Sequence, residues 1–176
     1  MLEQSVNLNS SSIKTEILLG RILGEVSSKL SSGDNFNEIL DFLFYSLDLI
    51  IPFDRIGIAL LEDENKDSHS PQICSKWLRS KLPTTYLDEN YCAPIKGSSL
   101  EKILKTGTPR IINDLVQYER EHPQSHSTKL IVKEGIRSSL TCPLKSEGKY
   151  IGIVFFSSST PGTYKDVHVQ TYLKIA

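Results

Sequence analysis

The sequence predicts an α+β fold, in which amphipathic helices open and close the chain around a β-rich centre. Two apolar stripes at helical spacing occupy roughly the first 50 residues. The run RIGIALL, Arg55 to Leu61, is apolar on both faces. Two further strand-like runs, Ile136 to Leu144 and Tyr150 to Ser157, flank a loop ending in Gly148 and read as a hairpin. With 176 residues, one domain can bury a core of its own.

The elements follow in order. Residues 1–12 are rich in Ser and Asn and read as a flexible arm, because they offer little apolar area to offset ordering. From Thr15 to Leu30, Leu19, Ile22, Leu23, Val26 and Leu30 repeat at helical spacing. Asn35, with Glu38 three residues on, resembles a capping box opening a second helix that carries Phe36, Ile39, Leu40, Leu43, Phe44 and Leu47 and stops before Pro52. A run apolar on both faces, like that near Arg55, fits a central strand covered on each side. An acidic loop, Glu62 to Ser70, then turns the chain, and Gln72 to Leu78 and Tyr86 to Ile95 read as strands, the second near an edge because of Pro94. Ser98, with Glu101, caps a short helix placing Leu100, Ile103 and Leu104 inward. Gly107 ends it as the left-handed residue before Pro109.

Arg110 to Ile112 is a short strand, and Asn113 and Asp114 suit a side-chain-to-backbone turn. The polar segment from there to Thr128 reads as a long loop of the kind that carries function. A single helical stretch from Thr128 to Glu134 closes at Gly135. After it, Ile136, Ser138, Leu140, Cys142 and Leu144 alternate with Arg137, Ser139, Thr141 and Pro143, giving a strand with one apolar face. The strand from Tyr150 to Ser157 is small or apolar on both faces and belongs between layers. Thr163 and Asp166 open a last helix with Val169, Tyr172, Leu173 and Ala176 at core spacing. Its apolar pattern runs to the final residue, so residues 13–176 are expected to form one domain whose last helix leads into a further, effector domain.

The order of these elements, with PFDRIGIALLED at Pro52 to Asp63, TGTPRIINDL at Thr106 to Leu115 and EGIRSSLTCPL at Glu134 to Leu144, resembles the GAF family of sensory and regulatory domains. The resemblance implies a GAF-like (profilin-like) antiparallel sheet of five or six strands, with the terminal helices on one face and a ligand pocket under short helices on the other. It implies a roof formed by Ser98 to Thr106 and Asn113 to Gly135. It also implies a small-molecule ligand, signal transduction, and a fused effector such as the histidine kinase of a two-component system or a nucleotide cyclase. The residues so marked as ligand-binding are Arg110, Asn113, Asp114, Arg137, Ser139, Thr141 and Cys142. The alternative use of the same fold is a ligand-free dimerisation or interaction scaffold. A concave cavity of roughly 300 Å³ or more, lined by Arg and hydroxyl groups, would mark a sensor, and a pocket filled by its own side chains a scaffold.

Departures from the better-known members narrow the ligand. Bilin-binding relatives carry a cysteine about a dozen residues before the glycine that matches Gly135, where this chain has Pro123, which argues against a covalent bilin. Asn65 and Lys66 stand without the rest of the cyclic-nucleotide signature. The cysteines do not reproduce the pocket pattern of relatives that reduce free methionine sulfoxide.

The residues themselves bound the chemistry. Net charge is −1 and the pI near 6.4, with no basic stripe for nucleic acid. Three cysteines without a CxxC pair indicate neither a disulfide framework nor a metal cluster, so the chain reads as a reduced, cytoplasmic protein. No apolar run approaches the roughly 20 residues of a membrane span, and no membrane contact is expected. The guanidinium of Arg110 or Arg137 could hold a carboxylate or phosphate through two parallel hydrogen bonds, or form an outward salt bridge to Asp114 or Glu134. Cys142 sits on an apolar strand face and reads as a packed thiol, with ligand attachment or redox chemistry as the alternative. Cys92 is the other thiol considered for reactivity. Pro123 between His122 and His126 breaks the helical spacing that haem or metal ligation would use, so these read as solvated loop histidines. His69 and His168 are given no role. No Ser-His-Asp set, phosphate loop or carboxylate pair appears, so an enzyme is not expected. Ile13, Ile17, Leu18, Val167 and Ile175 are positioned to pair two copies through the terminal helices, or else complete the core.

Overall fold

The computed structural model describes residues 2–62 and 71–175, with side chains from residue 13 onward. The readings of Asn65, Lys66 and His69, and of most of the acidic loop, fall outside the described residues. The chain forms two compact units, one up to Ile51 and the other from Pro52 to Lys174.

The first unit is a helical pair. Helix α1 spans Leu2–Ser32 and α2 spans Phe36–Leu47. The α1 backbone is thus helical from well before Thr15, through residues expected to be an arm. Ser and Asn weaken a helix without breaking it once a strong stretch has nucleated. Asn35 caps α2 by accepting a hydrogen bond from the Asn37 amide at 2.9 Å. Lys29 and Asp34 form an ion pair at 3.2 Å in the turn between the helices.

The second unit is a six-stranded sheet with all neighbours antiparallel, in the order β3-β2-β1-β6-β5-β4. The strands are β1 (Arg55–Glu62), β2 (Gln72–Ser80), β3 (Cys92–Pro94), β4 (Arg110–Ile112), β5 (Ser138–Ser146) and β6 (Lys149–Ser158). The two runs that are apolar on both faces, β1 and β6, take the middle, where both faces are covered. Gly152 of β6 is required by that closeness, since a Cβ there would collide with the Ala59 carbonyl and the Leu60 backbone. The β5–β6 hairpin turns through Glu147 and Gly148, both at positive φ (48° and 82°), the backbone sense that matches strand twist.

Four shorter helices complete this unit: α3 (Ser99–Thr106), α4 (Leu115–Glu121), α5 (His126–Lys133) and α6 (Asp166–Leu173). Gly107 closes α3 in the left-handed conformation, φ 69°. Two segments differ from the sequence reading. Of the strand expected over Tyr86 to Ile95, only Cys92–Pro94 pairs, and the long polar loop after Asn113 contains α4. The Asp114 carboxylate caps α4 by accepting from the Gln117 amide at 2.8 Å, and Leu115 behind it is 1% exposed.

One face of the sheet carries two apolar clusters. Ala59, Ile73, Ile95, Ile103 and Ile153 form the first, and Ile112, Leu115 and Ile136 the second. On the opposite face, α6 packs through Tyr172, whose ring lies 6.1 Å from that of Phe156. Its hydroxyl donates to the Pro143 carbonyl at 2.7 Å.

A correction concerns the cysteines. Cys74 and Cys92 form a disulfide, where the sequence suggested three free thiols. The reason lies in register: β2 and β3 pair with Cys74 opposite Cys92, and spacing along the chain does not reveal which residues become cross-strand partners. Cys142 is the free cysteine, and it is buried. The bridge closes an 18-residue separation, so Cys92→Ser should lower stability by about 3 kcal/mol. Urea unfolding of the variant, and of the wild type in reductant, should show the same fall in midpoint.

Candidate functional site

The site lies between the two apolar clusters, over the face of the sheet opposite α6. Its floor follows from strand alternation. On β5, Ser139 and Thr141 face it while Ser138, Leu140 and Cys142 face away. On neighbouring strands the floor is continued by Phe155 and Ser157 of β6, by Arg55, Gly57 and Ala59 of β1, and by Ile73 and Ser75 of β2. Register places these in rows. Ile112, Ser139, Ser157 and Arg55 lie side by side across four strands, and Arg110, Thr141, Phe155 and Gly57 form the next row. The roof is Leu100 from α3, Leu115 and Tyr118 from α4, and Thr128 and Ile131 from α5, with Leu87 and Tyr91 at the side. Together they enclose about 120 Å³, less than the roughly 300 Å³ of a drug-sized site.

Two guanidiniums reach this cavity, and their surroundings differ. Arg55 is 4% exposed; its Nε lies 3.1 Å from the Glu134 carboxylate, and it donates to the Leu87 carbonyl at 3.1 Å. Glu134 caps the C-terminal end of α5, and its other oxygen accepts from the amides of Tyr86 and Leu87, both at 2.7 Å. The pair therefore joins the central strand, the roof and the side loop. Burial presses the Arg55 guanidinium below its ordinary range, and the Glu134 charge opposes this.

Arg110 has no such partner. It donates to the Tyr118 hydroxyl at a long 3.5 Å, its guanidinium carbon lies 5.7 Å from the Tyr118 ring centre, and its Nε is buried without a hydrogen bond. Burial lowers its pKa, opposed by Tyr118. The hydroxyls of Ser75, Ser139, Thr141 and Ser157 form no hydrogen bond to another described residue and remain available to the cavity. Thr128 and Ser125 bond to each other at 2.7 Å. Burial also raises the Tyr91 hydroxyl.

Of the residues marked from sequence, Arg110, Ser139 and Thr141 meet in the cavity wall; the other four do not line it. Asn113 exchanges hydrogen bonds with the backbone of Tyr164, at 2.9 and 3.1 Å. Asp114 caps α4. Arg137 donates to the carbonyls of Val132 and Ile136, at 3.0 and 2.8 Å, at the end of α5, so the outward pair with Glu134 does not form. Cys142 faces the side of the sheet that packs α6, and burial drives its thiol pKa far up. His122 stacks on Tyr118 at 4.0 Å and His126 lies 6.3 Å from Tyr91, and neither imidazole lines the cavity.

The sequence model of the GAF domain matches residues 34–175. The chain belongs to the GAF domain family. Solved structures carry the same fold. The GAF domain of a two-component sensor histidine kinase from Bacillus halodurans superposes with a TM-score of 0.62 at 17% identity, covering 80% of this chain and 88% of that one. The GAF domain of an Acinetobacter phosphoenolpyruvate-protein phosphotransferase gives 0.65 at 14%, covering 92% and 87%. Free methionine-R-sulfoxide reductase from Neisseria meningitidis, in complex with its substrate, gives 0.62 at 14%, covering 92% and 83%. No curated protein matches the chain in sequence. Among the described residues, no helix is long and apolar enough to cross a membrane.

The buried ion pair gives a direct test of how the site is held together. Glu134→Ala leaves Arg55 buried and unpaired and is expected to cost about 3–5 kcal/mol, measured by urea unfolding. Glu134→Gln keeps an acceptor for the Tyr86 and Leu87 amides and should cost less.

Proposed function

We propose that this GAF domain senses a small molecule held in the cavity between sheet and short helices, and passes its occupancy to a fused signalling effector. The cavity, about 120 Å³, falls short of the roughly 300 Å³ that would mark a sensor by size; the observation that carries the reading is its lining, an Arg110 guanidinium without a carboxylate partner and free hydroxyls turned inward. A GAF domain serving as scaffold alone has no need to keep polar groups facing an internal space, since each costs desolvation without a partner. Kinship in fold with the GAF domains of a sensor histidine kinase and a phosphotransferase supports a signalling setting.

The route outward runs through one strand. β5 bears Ser139 and Thr141 on the cavity side, and its Pro143 carbonyl holds Tyr172 of α6 on the other. A ligand that draws β5 toward the roof shifts the seat of α6, and an effector after that helix reads the shift. In the same proposal two copies pair through their terminal helices. Ile13, Ile17 and Val167 are 54%, 55% and 60% exposed, apolar area that a second copy would cover. In this reading the cysteines take no part in the cavity: Cys142 is buried on the other face of the sheet, and Cys74 and Cys92 are bridged to each other outside the lining.

Native mass spectrometry of the protein from cells is expected to give a dimer carrying an extra mass lost on denaturation. Ser157→Leu, which fills the floor, should remove that mass and leave the dimer. A dimer whose mass is the same in the wild type and the variant supports the scaffold use instead.

A further inference from the structure

Resting on the reading of the cavity as a ligand site, we infer that its ligand is a small organic monocarboxylate, with the carboxylate on Arg110 and an apolar body no larger than a benzene ring. Charge comes first. Of the two guanidiniums in the wall, Arg55 is neutralised by Glu134, whereas Arg110 meets only the Tyr118 hydroxyl and ring, and no carboxylate among the described residues pairs with it. The wall therefore presents one uncompensated positive charge in a place where desolvation is costly, and a single negative charge balances it. A carboxylate matches the planar donor fork of arginine with two parallel hydrogen bonds, and it would engage the Nε that lacks a partner. A dianionic phosphate would bring a second charge with nothing to oppose it.

The neighbouring groups fit the same chemistry. Thr141 is the register partner of Arg110 across β4 and β5. Ser139 is next on that strand face, and Ser157 lies beside Ser139 on β6. Each hydroxyl is free to rotate and donate to a carboxylate oxygen. Beyond this strip the wall turns apolar, with Ala59, Ile73, Leu100 and Phe155 around the remaining space. Size sets the body: 120 Å³ is close to the about 150 Å³ of a cavity known to admit benzene. It is too small for a nucleotide or a tetrapyrrole.

The probes are benzoate, its neutral analogue benzyl alcohol, and phenyl phosphate, each titrated by NMR into the wild type, Arg110→Met and Arg110→Lys. Benzoate is expected to shift the amides of Ser139 and Thr141 and to bind about 10- to 100-fold more tightly than benzyl alcohol, the range for a hydrogen bond to a charged group. Arg110→Met should erase that difference, so that benzoate binds no more tightly than benzyl alcohol. Arg110→Lys, which keeps the charge and loses the fork, should fall between, and it stands in for the first variant if that fails to fold. Equal binding of benzoate and benzyl alcohol to the wild type, or benzoate binding untouched in both variants, overturns the carboxylate and leaves the sensor reading standing. Tighter binding of phenyl phosphate than of benzoate overturns it in favour of a phosphate. If none of the three probes shifts a cavity amide, the ligand site itself falls.

Discussion

One buried ion pair organises the site. Arg55 opens the central strand and Glu134 closes the helix above it. Because both are removed from water, each holds the other in place: separating them strands a charge in a low-dielectric interior. The remaining oxygen of Glu134 takes up two amides of the side loop, and Arg55 also takes the Leu87 carbonyl, so the loop joins the same network. Floor, roof and side wall are thereby fixed relative to one another by polar contacts at one corner. Away from that corner the long contact of Arg110 with Tyr118 also links floor and roof, and the space between them is left open.

The alternation of a β-strand separates two tasks within β5. Ser139 and Thr141 give the cavity its hydroxyls. Leu140 and Cys142 are fully buried on the other face. Cavity groups and packing groups are interleaved residue by residue, so the first set can vary without disturbing the second. Such a division is compatible with identities of 14–17% accompanying a shared architecture.

Much of the fold was legible from the sequence, because period and punctuation report local structure faithfully. The double-faced apolar runs marked the two middle strands, Gly107 marked the end of α3, and RII marked β4. Helix α4 was hidden: two turns long, it offers only Leu115 and Tyr118 as an inward pair, too few to show a period against its polar surroundings. The disulfide was hidden because cross-strand register is a tertiary property. Within the site, Arg110, Ser139 and Thr141 could be read from their place on strands flanking a pocket. Asn113, Asp114 and Arg137 looked similar but are engaged by the backbone of turns and helix ends. Arg55 and Glu134, far apart in the chain, carry no signal of their pairing beyond one charge at the start of an apolar strand and another beside a glycine. A charged residue opening a strand that is otherwise apolar on both faces was the clue available.

The two outermost strands, β3 and β4, are only three residues long, and β3 ends in Pro94. A sheet propagates from molecule to molecule through its unpaired rim of amides and carbonyls, and edge strands this short, one of them ending in proline, are poor templates for another chain. The disulfide tethers one of these borders to its neighbour. Strand addition at these two borders is consequently disfavoured, and copies crowded side by side meet short, interrupted edges there rather than a long open one.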